Sequence, residues 1–405
     1  MQFMIIAGEA SGDALAAELV AALRQAAAGR AGGSRLPEFF GAGGPQMAKA
    51  GVSLAFDLTE HAVIGLWEVI RNYSKFKRLF NVLLQLAWER KPDAIVLVDF
   101  SGFNRRFAHA VRQRIRTQLA VAESWNPSII QYVSPQVWAS RPKRAELLAR
   151  DIDLLLAILP FEKKWYAERV PQLRVEFVGH PLVDRAAKDR ASAHVPDPAE
   201  NETLEPLVIL LPGSRTGELK RHLPVMIEAA RRISSAKKVR FRMVLPNERL
   251  AAIAQSQLRS AAPGIDLRIG NPGESLAQAA VAIASTGTVT LECAIFGVPT
   301  VALYKTSWLT YQIGRRLVTV DSLAMPNILA GRRVIPELIQ SDATAANLAR
   351  EALDLLNNAE RRAVVKTGLA EVTVALGAPG ASQRAARAIL DLMQTRHPVR
   401  RTGRG

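Results

Sequence analysis

Residues 281–303 limit the fold more than any other stretch. They read V-A-I-A-S, then T-G-T, then V-T-L-E-C-A-I-F, then G-V-P-T-V-A-L. A short β-branched run predicts a buried strand, Gly287 breaks it, a helical segment follows, and a second apolar run returns as a strand. Two parallel strands need a helical crossover of this kind, so the pattern demands a parallel α/β sheet. In such sheets ligands bind beyond the carboxyl ends of the strands, where helices present unpaired N–H groups. Gly287 would let backbone approach a phosphate, with Thr286 and Thr288 beside it. Thr288 would cap the helix, and Glu292 would turn a carboxylate toward a sugar's hydroxyl pair. The same residues also fit an ordinary capped helix holding a sheet together.

The unit recurs. Residues 3–7 form a strand that runs into Gly8-Glu9-Ala10-Ser11-Gly12-Asp13, where Glu9, Ser11 and Asp13 either line a substrate or cap a helix. Residues 94–98 form a buried strand ending at Asp99, a carboxylate placed to act as a general base or to cap the next helix. After a strand at 128–133, Ser134-Pro135-Gln136-Val137-Trp138 makes a rigid substrate wall or a buried turn. From 186 to 206 the pattern lapses into polar, proline-bearing sequence, which marks a domain boundary. A new strand at 207–211 then ends in Pro212-Gly213-Ser214-Arg215, where a guanidinium would pair with a diphosphate or lie on the surface. A helix is expected around 224–233.

The totals narrow the class. With one cysteine, Cys293, no intrachain disulfide or thiolate metal cluster forms, which fits a reducing cytoplasm; Cys293 itself reads as a core residue. A net charge of +16 favours anionic partners without choosing among nucleic acid, lipid surface and phosphorylated substrate. No apolar run is long enough to span a bilayer, so membrane contact is expected to be peripheral. Between residues 61 and 88 an amphipathic pattern carries Val63, Leu66, Trp67, Ile70 and Phe76 on one face, with Arg71, Lys75 and Arg78 on another. Such a helix either packs on a core or lies in a membrane interface. Asp151 and Asp153 have D-x-D spacing but continue into a strand, so no metal site is expected. Zinc-hydrolase, serine-hydrolase and P-loop motifs do not occur.

Eight short motifs in order carry a resemblance. They are G-E-A-S-G-D from Gly8, V-D-F-x-x-F-N from Val98, Y-V-S-P-x-V-W-A from Tyr132 and L-P-F-E from Leu159. The others are V-G-H-P from Val178, L-P-G-S-R from Leu211, G-T-x-T-L-E from Gly287 and P-N-x-L-A-G-R from Pro326. Over nearly its whole length the chain resembles the lipid-A-disaccharide synthases, inverting glycosyltransferases of the GT-B architecture. It departs from the family pattern at Ser101, Ser140 and Thr286.

The resemblance implies two doubly wound Rossmann-like domains facing across a cleft, with C-terminal helices returning to the first domain. The implied parts are 1–188, facing acceptor and membrane; a linker at 189–206; 207–380, binding the UDP-sugar; a helix at 381–395; and a basic tail at 396–405. It implies transfer of diacylglucosamine from UDP-2,3-diacylglucosamine to 2,3-diacylglucosamine 1-phosphate, with a β-1,6 disaccharide and UDP as products. Asp99 would be the base and Arg215 the diphosphate partner. Gly213, Ser214, Thr286, Gly287, Thr288, Glu292, Asn327 and Gln340 would bind UDP, and Glu9, Ser11, Asp13, Asn104, Ser134 and Trp138 would line the acceptor side. No cofactor and no metal are implied. Acylated substrates favour the reading of the 63–84 helix as a docking surface on an anionic membrane, at the cytoplasmic face of the inner membrane. A homodimer stays open, and nucleic acid is not an expected partner. The alternatives are another UDP-sugar enzyme of the same fold, such as a UDP-N-acetylglucosamine epimerase, and, remotely, a basic nucleic-acid-binding protein.

Overall fold

The computed structural model describes residues 1–30, 36–62, 73–118, 125–192, 205–258, 264–308, 311–312 and 320–396. It divides into two compact units. One holds Met1–Pro181 and the segment from Gly380 onward, and the other holds Leu182–Pro379. The division falls after Pro181, ahead of the polar stretch, so the helix Pro181–Ser192 belongs almost wholly to the second unit.

The first unit is built on seven parallel strands: β1 (Gln2–Ala7), β2 (Glu38–Gly43), β3 (Ser53–Asp57), β4 (Ala94–Val98), β5 (Ser128–Tyr132), β6 (Leu154–Ala157) and β7 (Arg174–Phe177). Their order is β3-β2-β1-β4-β5-β6-β7, so the winding reverses between β1 and β4. Both faces of the central strands β1, β4, β5 and β6 are covered, which is why these read as largely apolar runs. Alternate residues take opposite faces. Phe3, Ile5, Val96, Val98 and Ile130 pack beneath the helices Ala10–Arg30 and Ala381–Arg396. Met4, Ile6, Ile95, Leu97 and Ile129 pack with Leu83, Phe107 and Val111 on the other side. The C-terminal helix Ala381–Arg396 lies on Ala10–Arg30, and Arg384 Nε donates to Val178 O at 2.8 Å.

The second unit repeats the plan with β8 (Leu207–Leu211), β9 (Arg240–Leu245), β10 (Ile265–Ile269), β11 (Val281–Ser285), β12 (Thr300–Tyr304) and β13 (Glu337–Ile339). The order β10-β9-β8-β11-β12-β13 reverses between β8 and β11, the two strands singled out in the sequence for their glycine turns. Cys293 is fully buried in the core between β11 and its helix, and burial pushes its thiol up to about 12. The helix after β8 is longer than expected. It spans Thr216–Ala236 with Pro224 inside it, so the proline does not mark a start. Asp153 accepts from Ile129 N at 2.7 Å and pairs with Arg112, while Asp151 pairs with Arg150. Asp153 thereby ties β5 to the helix Ser101–Gln118, while the Asp151–Arg150 pair stays within one helix. Among the described residues no three metal-ligating side chains gather, and no helix is long and apolar enough to cross a membrane.

Candidate active site

In the first unit the winding reversal places the turn after β4 beside the turn after β1. Asp99 and Phe100 both adopt left-handed backbone, with φ of 49° and 41°, which side-chain-bearing residues rarely do. Two buried amides hold this turn. Asn104 Nδ2 donates to Asp99 O at 2.7 Å and to Val98 O at 3.3 Å. Gln131 Nε2 lies 3.2 Å from Asp99 O and 3.1 Å from the carbonyl of Val133, itself at φ 69°. Strain at the ends of two adjacent strands is thus matched by side-chain donors. Burial raises the pKa of Asp99, the nearby Glu9 carboxylate raises it further, and the Phe100 N–H opposes the shift. A half-buried carboxylate with an elevated pKa is a better proton acceptor than a solvated one.

Glu9 and Ser11 are exposed at the start of the first helix. Asp13 is not. It is 2% exposed and accepts from Gly44 N, Gln46 N and Met47 N at 2.8–3.0 Å, so its carboxylate caps the helix Pro45–Lys49. Ser134 and Trp138 form a buried turn. The indole N–H donates to Glu162 Oε1 at 3.0 Å, the ring stands edge-on to Phe161, and Ser134 Oγ lies 3.0 Å from Tyr166 Oη. Burial pushes Glu162 up to about 7, against the hydrogen bonds from Leu159 N, Trp138 and Ser134.

In the second unit β8 ends at a turn in which Gly213 takes φ 115° and a side chain there would meet Glu218 Oε2 at 2.6 Å. Ser214 and Arg215 are exposed; the Arg215 guanidinium is 79% exposed, with Glu218 Oε1 only at 3.5 Å. His222, fully buried on the following helix, fixes the turn from behind. Its Nδ1 is 2.8 Å from Pro212 O, and its Nε2 accepts from Lys305 N at 3.0 Å. Those partners require the neutral ring with its proton on Nδ1.

β11 leads through Thr286 into Gly287, whose φ of 119° favours glycine. Gly287, not Thr288, is the N-cap residue of the helix Thr288–Ile295, and no side chain caps it. Thr288 is the exposed first helical residue, and Thr290 Oγ1 donates to Gly287 O at 2.7 Å. Among the described residues no side-chain acceptor caps the N–H end of this helix. Burial pushes Glu292 up to about 7, with Arg185 opposing and Asp189 reinforcing from the helix Pro181–Ser192.

Asn327 and Gln340 are engaged within the unit. Asn327 is 2% exposed; its Oδ1 accepts from Val334 N and Ile335 N, and its Nδ2 donates to Ile335 O and Glu337 Oε2. Gln340, at φ 50°, pairs both ends of its amide with the backbone of Thr306. Both amides thereby hold loops at the carboxyl edge of the second sheet.

Of the docking residues, Val63, Leu66, Trp67, Ile70, Arg71 and the side chain of Lys75 lie outside the described residues. On the helix Tyr73–Arg90, Phe76 is half-buried and Arg78 exposed. An apolar groove of about 630 Å³ runs along this helix, lined in part by Ala55, Val82 and Leu86 with Lys77 and Arg78. Gln131 and His222 escaped the sequence reading. A lone glutamine inside S-I-I-Q-Y was a visible signal; the histidine offered none.

The family profile described as Lipid-A-disaccharide synthetase matches residues 3–390. The lipid-A-disaccharide synthase of Myxococcus xanthus is 35% identical over 396 residues, covering 97% of each chain. The chain belongs to this family. The enzyme of Geobacter sulfurreducens is 36% identical over 401 residues, again with 97% of both chains covered. Among solved structures, UDP-GlcNAc 2-epimerase from Neisseria meningitidis bound to UDP-GlcNAc superposes with a TM-score of 0.62 at 12% identity, covering 96% of this chain and 100% of that one. The calicheamicin glycosyltransferase gives 0.57 at 15%, covering 98% of both. Such identities establish the shared GT-B fold and nothing finer, whereas the family match fixes a glycosyltransferase of lipid A biosynthesis.

Proposed function

We propose that the protein transfers 2,3-diacylglucosamine from its UDP derivative to the 6-hydroxyl of 2,3-diacylglucosamine 1-phosphate, giving the β-1,6-linked disaccharide 1-phosphate and UDP. The observation that carries this reading is the family match along residues 3–390. The residues that each unit carries at its own strand ends support a division of labour. Asp99 takes the proton of the acceptor hydroxyl as its oxygen attacks the anomeric carbon and the bond to the diphosphate breaks with inversion. The departing charge falls to Arg215 and to the N–H groups that open the helix after Gly287. Gly213, Ser214, Thr286 and Thr288 line that subsite, and Glu292 holds the ribose. Asn327 and Gln340 set its loops from behind. Glu9 and Ser11 border the acceptor beside Asp99, while Asp13, Asn104, Ser134 and Trp138 support that wall.

The acylated substrates imply work at a lipid surface. We assign the contact to the segment bearing Val63, Leu66, Trp67, Ile70, Arg71, Lys75, Phe76 and Arg78, on an anionic membrane at the cytoplasmic face of the inner membrane. Its apolar and cationic faces support this. The test is to incubate the protein with both acylated sugars and follow UDP and disaccharide. Equimolar release is expected, and UDP-N-acetylglucosamine incubated alone should return unchanged. No disaccharide, or epimerisation of the nucleotide sugar, overturns the reading.

A further inference from the structure

The helices Ser101–Gln118 and Arg144–Asp151 follow adjacent strands of the first unit and pack side by side. Toward their carboxyl ends they are cross-linked by polar side chains. His109 Nδ1 lies 3.1 Å from Asp151 Oδ2, and Arg112 reaches Asp153 Oδ2 at 2.5 Å and Asp151 O at 3.3 Å. At the other end, where both helices begin at the carboxyl edge of the sheet, the chemistry changes. Arg105 and Arg106 stand in the second turn of one helix, Arg144 opens the other, and Arg141 lies three residues ahead of it in the connecting turn. Arg105 and Arg144 are half-buried, Arg106 and Arg141 exposed. Among the described residues none of the four makes an ion pair or a side-chain hydrogen bond. Burial lowers the pKa of Arg144, and Arg141, Arg105 and Arg106 each lower it further by repulsion.

Four guanidiniums that repel one another, beside two helix starts that already carry positive partial charge, are unfavourable when empty. A dianion reverses every one of those terms, and guanidinium forks match phosphate oxygens. The cluster shares its edge with Asp99. Arg105 lies four residues into the helix that begins just after the Asp99 turn, about 6 Å along its axis. We propose that Arg105, Arg106, Arg141 and Arg144 bind the 1-phosphate of the acceptor sugar. This rests on the function proposed above, in which the acceptor is the substrate with a terminal phosphate monoester. Anchoring that group fixes the ring so that one hydroxyl faces Asp99, and selects a phosphorylated acceptor over a neutral one.

The test compares kcat/KM for 2,3-diacylglucosamine 1-phosphate with that for the same sugar lacking phosphate, using the full-length protein. The wild type should prefer the phosphorylated acceptor. Arg144→Ala and Arg105→Ala should each cut that preference about tenfold, mainly through KM. Arg116→Ala, exposed at the far end of the first helix, should keep it. A preference that survives in Arg144→Ala, Arg105→Ala and the double variant overturns the proposal. So does a parallel loss on both acceptors. In a second arm, binding to phosphatidylglycerol vesicles should not change; vesicle binding lost with the preference intact would assign the arginines to lipid headgroups and overturn it too. A wild type that couples neither acceptor overturns the functional reading itself, whereas one that couples both equally overturns only the phosphate site.

Discussion

The indole nitrogen of Trp138 donates to Glu162 Oε1 at 3.0 Å, joining the turn after β5 to the turn after β6 through a carboxyl group that is 1% exposed. Two motifs separated in sequence, Y-V-S-P-x-V-W-A and L-P-F-E, are thereby one piece of structure. The bond carries a pH dependence. Burial raises the Glu162 pKa from 4.5 to about 7. Below pH 4.5 the group is protonated whether or not the chain is folded. Between 4.5 and 7 the unfolded chain ionises first, so this group removes stability as pH rises, and above 7 the loss is complete. The total is on the order of 3 kcal/mol. Glu162→Gln keeps an acceptor for Trp138 and removes the titration, so its stability should fall less between pH 5 and pH 7 than that of the wild type. Denaturant melts at several pH values measure the difference; parallel curves for the two proteins would rule the assignment out.

Much of this architecture was legible because buried parallel strands leave uninterrupted apolar runs. β1, β4, β8 and β11 stand out for that reason, and each ends in a turn that breaks the pattern. The helix after β8 was read short because Pro224 resembles a helix start, although an interior proline is tolerated where its neighbours hold the helix. The roles of Asp13, Asn327 and Gln340 were hidden for a different reason. Their backbone partners lie up to 34 residues away, for example Met47 for Asp13, and only the folded chain brings them together. Thr288 looked like a cap from composition alone, and the left-handed Gly287 takes that position.

Asp99→Asn removes the proton acceptor while preserving shape. Turnover should fall roughly 10²- to 10⁴-fold, with UDP affinity nearly unchanged because UDP is assigned to the other unit. In the wild type the carboxylate must be ionised to act. With its pKa raised, kcat/KM should rise with pH through that pKa and then level off, and the acid limb should vanish in the variant's residual activity. An identical acid limb in both would remove Asp99 from the role of base.

Gln131→Leu is close to isosteric and deletes the donor that bridges the Asp99 and Val133 carbonyls. Those carbonyls would stay buried with fewer partners, at a cost of about 1–3 kcal/mol. A merely structural loss would lower the melting point alone. If Gln131 also positions Asp99, kcat falls while UDP affinity holds, and Gln131→Asn, with a shorter reach, should be intermediate. Unchanged kcat in a folded Gln131→Leu protein would limit the residue to stability.

His222 makes the corresponding prediction in the second unit, with the opposite protonation logic. Burial lowers its pKa below 6.5, so the folded protein keeps the ring neutral. The unfolded chain takes up a proton first as pH falls through 6.5. Stability present above that point is therefore lost progressively down to the folded pKa. Protonation at Nε2 would set an N–H against the Lys305 N–H, breaking the tie between the turn at Pro212 and the loop after β12. That turn carries Gly213, Ser214 and Arg215, so donor binding should weaken with it. UDP affinity measured by calorimetry should drop on acidification below pH 6.5 in the wild type. His222→Gln, which retains an acceptor near the Nε2 position and cannot titrate, should bind about tenfold more weakly than the wild type at pH 7.5 if the Pro212 bond is lost, and show a flatter pH profile. The same acid-induced weakening in wild type and variant would show that another group controls the turn.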